Sequence, residues 1–136
     1  MRRVLWVLLL ALAAGCGGED EPRVVTIQLE ERSGSTQFGE AVLREVGDAK
    51  TRIEVSVGHG GGDGIQPVRI VRGSCEALPP DVVLALEDAE AGESVTEIDM
   101  ALDDLLAAGY AISVHENPDV LRIQSACGKL DARSAS

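Results

Sequence analysis

Two histidines and three cysteines carry nearly all the side-chain chemistry that this 136-residue chain offers beyond its carboxylates. "SVHENPDVLRIQSACGKL" (residues 113–130) holds His115 and Cys127 close together in a β-rich stretch. An imidazole and a thiol so placed can serve as metal ligands, as a nucleophile with its base, or, for the cysteine, as half of a disulfide. The other histidine, His59, lies in "GHGGGDG" (residues 58–64) with Asp63 nearby, and the other cysteines are Cys16 and Cys75. Two imidazoles and a carboxylate suffice for a weak Zn²⁺ or Cu²⁺ site if the glycine loop folds over the strand bearing His115. The competing reading leaves His59 in solvent and His115 hydrogen-bonded to its neighbours. Two scattered histidines are a weak signal, so the metal reading stands second.

The amino terminus commits Cys16 elsewhere. Arg2 and Arg3 precede "VLWVLLLALAA" (residues 4–14), an apolar run far short of the roughly 20 residues a membrane span needs. It ends in "LAAGC", which resembles a bacterial lipobox, with Ala14 and Gly15 before Cys16; Ala13 departs from the more usual Leu. The expectation is a signal peptide over 1–15, a lipidated Cys16 as the new amino terminus, and a polar tether over 16–23. That places the protein in a bacterial cell envelope, extracytoplasmic, on the outer face of the cell membrane or on the outer membrane. The membrane is then a partner through the lipid anchor alone.

The chain carries 12 basic and 23 acidic side chains, net −11, and losing Arg2 and Arg3 with the leader takes this to −13. Such a surface repels phosphate backbones, which argues against nucleic acid as a partner. With Trp6 in the leader, Phe38 and Tyr110 are the only aromatics left, so the core must be aliphatic and suits a staple.

Period-two alternation governs the chain beyond the tether. Val25, Ile27 and Leu29 share a face, as do Ile53, Val55 and Val57. "EAVLREV" alternates imperfectly and predicts a bulge. "PVRIVRGS" sets Val68 and Ile70 on one face and Arg69 and Val71 on the other. "DVVLALED" reads as a more fully apolar strand, "ESVTEID" as another. "DMALDDLLAAG" switches to helical spacing, with Asp99 as cap and Gly109 as stop. "YAISVH" predicts Tyr110, Ile112 and Val114 inward and Ala111, Ser113 and His115 outward; "ENPD" is a turn, and "LRIQSAC" closes the sheet. About eight strands, one helical insertion and no βαβ alternation predict an all-β Greek-key sandwich or barrel over 24–130, with a fraying tail over 131–136.

With Cys16 lipidated, Cys75 and Cys127 form an even pair in an oxidising compartment and are expected as a disulfide. No histidine sits beside Cys75, and both cysteines lie at strand ends within tight apolar patterns, which gives a thiolate nucleophile no support. "PVRIVRGSC", "LPPDVVLALED", "GESVTEIDMALDDLLAAGYAISVHENPD" and "SACG" together resemble the chordin-type (CHRD) domain, itself related in pattern to copper–zinc superoxide dismutase. The resemblance covers roughly residues 34–130. It implies an eight-stranded, superoxide dismutase-like Greek-key fold with Cys75 bridged to Cys127.

The departures from that pattern bear on function. Where the resemblance puts a His-x-His copper-ligand pair, this chain has Arg69 and Val71, and the dismutase's active-site arginine falls on Gln124. His115 alone matches a copper-ligand position. A protonated guanidinium cannot ligate copper. The acids of "LEDAEAGESVTE" do not fit an EF-hand loop, and no Gly-x-Ser-x-Gly, Walker motif or Cys/His dyad is present. The expectation is a non-enzymatic surface module with no cofactor, which binds a protein or cell-surface partner or plays a structural role. The alternative is weak copper or zinc binding through His59, Asp63 and His115.

Overall fold

Aliphatic alternation builds the sheet strand by strand. The structure, a computed structural model, describes residues 21–58, 64–76 and 79–133. Among the described residues there are eight strands: β1 (Val24–Glu31), β2 (Gly39–Val46), β3 (Lys50–Val57), β4 (Val68–Arg72), β5 (Asp81–Ala85), β6 (Glu93–Ile98), β7 (Tyr110–His115) and β8 (Gln124–Leu130). One helix, α1 (Leu102–Ala107), joins β6 to β7. All pairings are antiparallel, in the order β5-β4-β7-β8-β1-β2-β3-β6. The returns of β6 to lie beside β3, and of β7 beside β4, are Greek-key crossings. The sheet curls into a half-barrel around one aliphatic core, so the all-β class expected from the sequence holds.

The core is the inward set of each strand. Val25, Ile27 and Leu29 of β1 meet Ala41 and Leu43 of β2, Ile53 and Val55 of β3, and Ile70, Ile112 and Val114 of the opposite wall. Gly128 of β8 lets β1 pass close: a Cβ there would run into the Gln28 carbonyl oxygen and come within 2.8 Å of Leu29 Cδ2. The helix adds Leu102 and Leu105, both buried.

The open edges meet without a ladder. Among the described residues no backbone pairing joins β5 to β6; instead two β6 hydroxyls grip the chain leaving β5. Ser94 donates to the Glu87 carbonyl oxygen at 2.6 Å, and the Glu87 N–H donates to Thr96 Oγ1 at 2.9 Å. These side chains substitute for the missing strand bonds and satisfy backbone groups at a seam.

Several local expectations need correction. The β2 register is unbroken on both sides, so "EAVLREV" carries no bulge; the irregularities fall instead between Ile70 and Val71 and between Val114 and His115. The apolar strand expected in "DVVLALED" is present as β5, but it lies at the sheet's edge with Val82 exposed. Asp99 does not cap α1: the N-cap is Ala101 without a side-chain bond, and the Asp99 carboxylate lies 3.5 Å from the Lys50 ammonium. Gly109 stops the helix as expected, at φ +75°. β8 begins at Gln124, because Leu121 and Arg122 belong to a turn. Of the tail, Asp131–Arg133 form a turn in which the Arg133 N–H donates to Asp131 Oδ1 at 2.7 Å.

Candidate site on the outer face of the β4–β7–β8 wall

The largest departure from the alternation pattern lies on β7. Ala111, Ser113 and His115 point away from the core, yet all three are buried. Strand register shows what surrounds them. Arg69 of β4, Ser113 of β7, Cys127 of β8 and Glu30 of β1 form one rung across the wall. His115 pairs with Gln124 on the next rung out, beyond the β7–β8 irregularity. There the Arg32 N–H donates to the Ser125 carbonyl oxygen at 2.9 Å, which carries the arginine alongside.

At one end of this face the disulfide forms a small second core. Cys75 and Cys127 are bonded, with 5.8 Å between their Cα atoms. Val71, Ala111 and Cys127 are buried together, with Cys75 packed against them. Arg32 ties the disulfide loop to the sheet, donating from Nη2 to the Cys75 carbonyl oxygen at 3.1 Å and pairing with Glu76 at 3.5 Å. The exposed Glu76 carboxyl is held below its usual range first by the Ser74 hydroxyl and its own backbone N–H, with Arg32 assisting. Arg69 turns to the other end of the face, 3.4 Å from Asp88.

Behind His115, on the core side, lies a polar node that the sequence did not signal. Gln37 and Gln66 form a reciprocal amide pair at 2.9 and 2.8 Å, both nearly sealed from solvent. Gln66 Nε2 also reaches the His115 carbonyl oxygen and Ser125 Oγ, each at 3.3 Å. Ser35 donates to the Ser125 carbonyl oxygen at 2.6 Å. The node pins the β1–β2 loop to the irregularity in β8. Glutamine within polar loop sequence looks like any surface residue, so only tertiary contacts identify these two.

The His115 side chain differs from that node. Four buried side-chain polar atoms make no hydrogen bond of good geometry among the described residues: Ser113 Oγ, Gln124 Nε2 and both ring nitrogens of His115, the ring having the Leu121 backbone near enough to act on its pKa. They belong to three residues that neighbour one another on β7 and β8. Burial is the main influence on His115 and pushes its pKa below the ordinary value; the Leu121 backbone works against this, and the Arg69 charge reinforces it. The ring is therefore neutral at pH 7. The segment from Glu116 to Ile123 is knit to itself over this region. The Glu116 N–H donates to the Ile123 carbonyl oxygen, and Asn117 Oδ1 accepts from the N–H groups of Asp119 and Val120.

Next to Gln124 the surface opens into a cleft of about 220 Å³ lined by Glu31, Arg32, Ser33, Arg122 and Gln124. A second cleft of about 420 Å³ runs beside the disulfide, with Arg32 common to both.

Of the residues expected to form a metal site, only His115 falls within the described part of the chain; His59 and Asp63 lie outside it, as does Cys16. Among the described residues no three His, Cys, Asp or Glu side chains gather into a ligand set. Among the described residues the groups around His115 are an alcohol, an amide and a guanidinium, which by themselves do not make a copper or zinc donor set. Compared with protein-family models, curated proteins and solved structures, the chain matches none.

Proposed function

We propose that this chain is an extracytoplasmic lipoprotein, held at a bacterial membrane by lipid on Cys16, whose CHRD-like β domain works by binding or as structure and not by catalysis. One observation carries the non-enzymatic part. Where the resemblance puts a copper-ligand pair, Val71 is 1% exposed against the disulfide, and Arg69 is turned to Asp88. A packed hydrocarbon and an ion-paired cation supply neither of the two imidazoles that a dismutase's copper would take from that pair. The disulfide and the acidic surface suit an oxidising, extracytoplasmic setting.

A second reading, weak copper or zinc binding through His59, Asp63 and His115, draws support from the two unpartnered nitrogens of His115. The Arg69 charge opposes it.

Both readings meet one experiment. The full chain is expressed in a bacterium, fractionated, and analysed for amino-terminal acylation and, after loading and desalting, for copper and zinc. Acylated protein in the membrane fraction, released by Cys16→Ser and free of metal, is the expected result. Soluble, unacylated wild-type protein overturns the anchor, and a stoichiometric ion lost in His115→Leu overturns the metal-free reading.

A further inference from the structure

On the outer face of β2 and β3 the charges are sorted along the strands. Ala41 and Leu43 of β2 enter the core, so alternation turns Phe38, Glu40, Val42, Arg44 and Val46 outward. That outward series reads apolar, acid, apolar, base, apolar. It is self-complementary: turned end for end about Val42, it sets Glu40 against Arg44 and Phe38 against Val46. Strand β3 follows the same division. Ser56 and Glu54 stand beside Glu40 and Val42, and Arg52 and Lys50 stand beside Arg44 and Val46.

The face also carries apolar area and unspent charge. Phe38, the chain's only phenylalanine, is 68% exposed, although such a side chain ordinarily goes to the core. Val95 of β6, on the same rung as Val42, is 49% exposed. A cleft of about 340 Å³ opens over Val42, Glu54 and Val95 and offers a recess to facing side chains. Arg52 is paired with Glu54 at 3.2 Å, but Glu40 and Arg44 make no ion pair among the described residues.

We propose that two copies of this chain pair face to face through β2 and β3, about a two-fold axis that crosses the strands at Val42. Glu40 of each copy then meets the partner's Arg44, Val42 meets its own counterpart, and Phe38 packs on the partner's Val46. Two-fold symmetry makes each of these contacts twice. The axis runs along the rungs and keeps both β1 strands on one side, so two copies anchored through Cys16 can share one membrane surface. Four strands about 4.8 Å apart and about 25 Å long offer at most about 450 Å² per copy. A standard interface uses roughly 800 Å² per partner, so this dimer is weak and reversible. The pairing gives the binding reading above a partner and stands on the folded domain alone.

The test is sedimentation velocity of the full chain carrying Cys16→Ser, without detergent, over micromolar to millimolar concentrations. Physiological ionic strength screens the net negative charge that the two copies share. Monomer and dimer in reversible exchange are expected. Glu40→Arg and Arg44→Glu each set like charges against one another and should each weaken the dimer by about tenfold or more. An equimolar mixture of these two variants should dimerise again, because every facing pair in the mixed dimer is opposite in charge. Asp119→Arg, the same change of charge in the turn before β8, should leave the association unchanged, and Phe38→Ser should weaken it. None of these readouts depends on acylation or bound metal, so they are separable from the test of the proposed function. Monomer at every concentration, a dimer that both charge variants leave intact, or a mixture no more dimeric than its components would each overturn the proposal.

Discussion

Removing the disulfide by Cys75→Ala with Cys127→Ala should lower stability by an amount that loop length sets. The bridged residues are 52 apart in sequence. In the chain-entropy treatment, freeing a loop of that size in the unfolded state is worth about 4 kcal/mol at 25 °C. Val71 and Ala111 keep each other's company in the variant, so the loss comes mainly from the unfolded ensemble. Unfolding a domain of this size carries an entropy that converts about 4 kcal/mol into a fall in Tm of about 15–20 °C. Thermal unfolding followed by circular dichroism, with and without reductant on the wild type, measures it twice over. Both the variant and the reduced protein should show the same fall. A fall under about 4 °C would refute the reasoning, because it would put the bridge's worth below about 1 kcal/mol and make the aliphatic core self-sufficient.

Gly128→Ala should destabilise by about 1–3 kcal/mol in urea unfolding, because the new methyl meets the Gln28 carbonyl and forces β1 and β8 apart. His115 has a depressed pKa when folded, so the unfolded chain binds the proton more readily. Its contribution to stability is therefore full above the unfolded pKa of about 6.5 and is lost as pH falls below it. Urea midpoints between pH 7.5 and 5.5 should drop in the wild type and drop less in His115→Leu. Gln37→Leu alone strands the Gln66 amide and should be worse by about 1–3 kcal/mol, whereas Gln37→Leu with Gln66→Leu should recover part of the loss in a double-mutant cycle.

The half of the sheet that faces one core and open water was legible in the sequence, since period-two alternation encodes one buried face. Val25, Ile27 and Leu29 of β1, and Ile53, Val55 and Val57 of β3, sit where the pattern put them. Val68 and Ile70 part from Arg69 and Val71 as expected. Alternation fails where a second layer covers the other face. Ser113 and His115 read as outward and therefore wet; they are outward and dry, a distinction that period-two alternation does not carry. The Asp99 cap failed because the helix begins further on, at Leu102 with Ala101 as N-cap, and Asp99 lies exposed beside Lys50 of β3. The Gln37–Gln66 pair joins residues 29 apart and depends on the β1–β2 loop reaching the start of β4.

The buried outer face also separates two explanations of its polarity by a substitution at Ser113. A covering whose sole role is structural gains by placing hydrocarbon under it, as Val71 and Ala111 do beside the disulfide. Ser113 occupies the adjoining rung, fully buried, with its hydroxyl unpartnered among the described residues. Burying a hydroxyl without a partner costs about 1–3 kcal/mol, so Ser113→Ala should raise stability by up to that amount, less what the small void takes back. Urea unfolding of the variant decides it. A gain means the patch is held polar at the expense of stability, as a binding site is. A loss of about 1 kcal/mol or more would mean that the hydroxyl is satisfied by bound water in a closed structural network, and the outer face would then be architecture throughout.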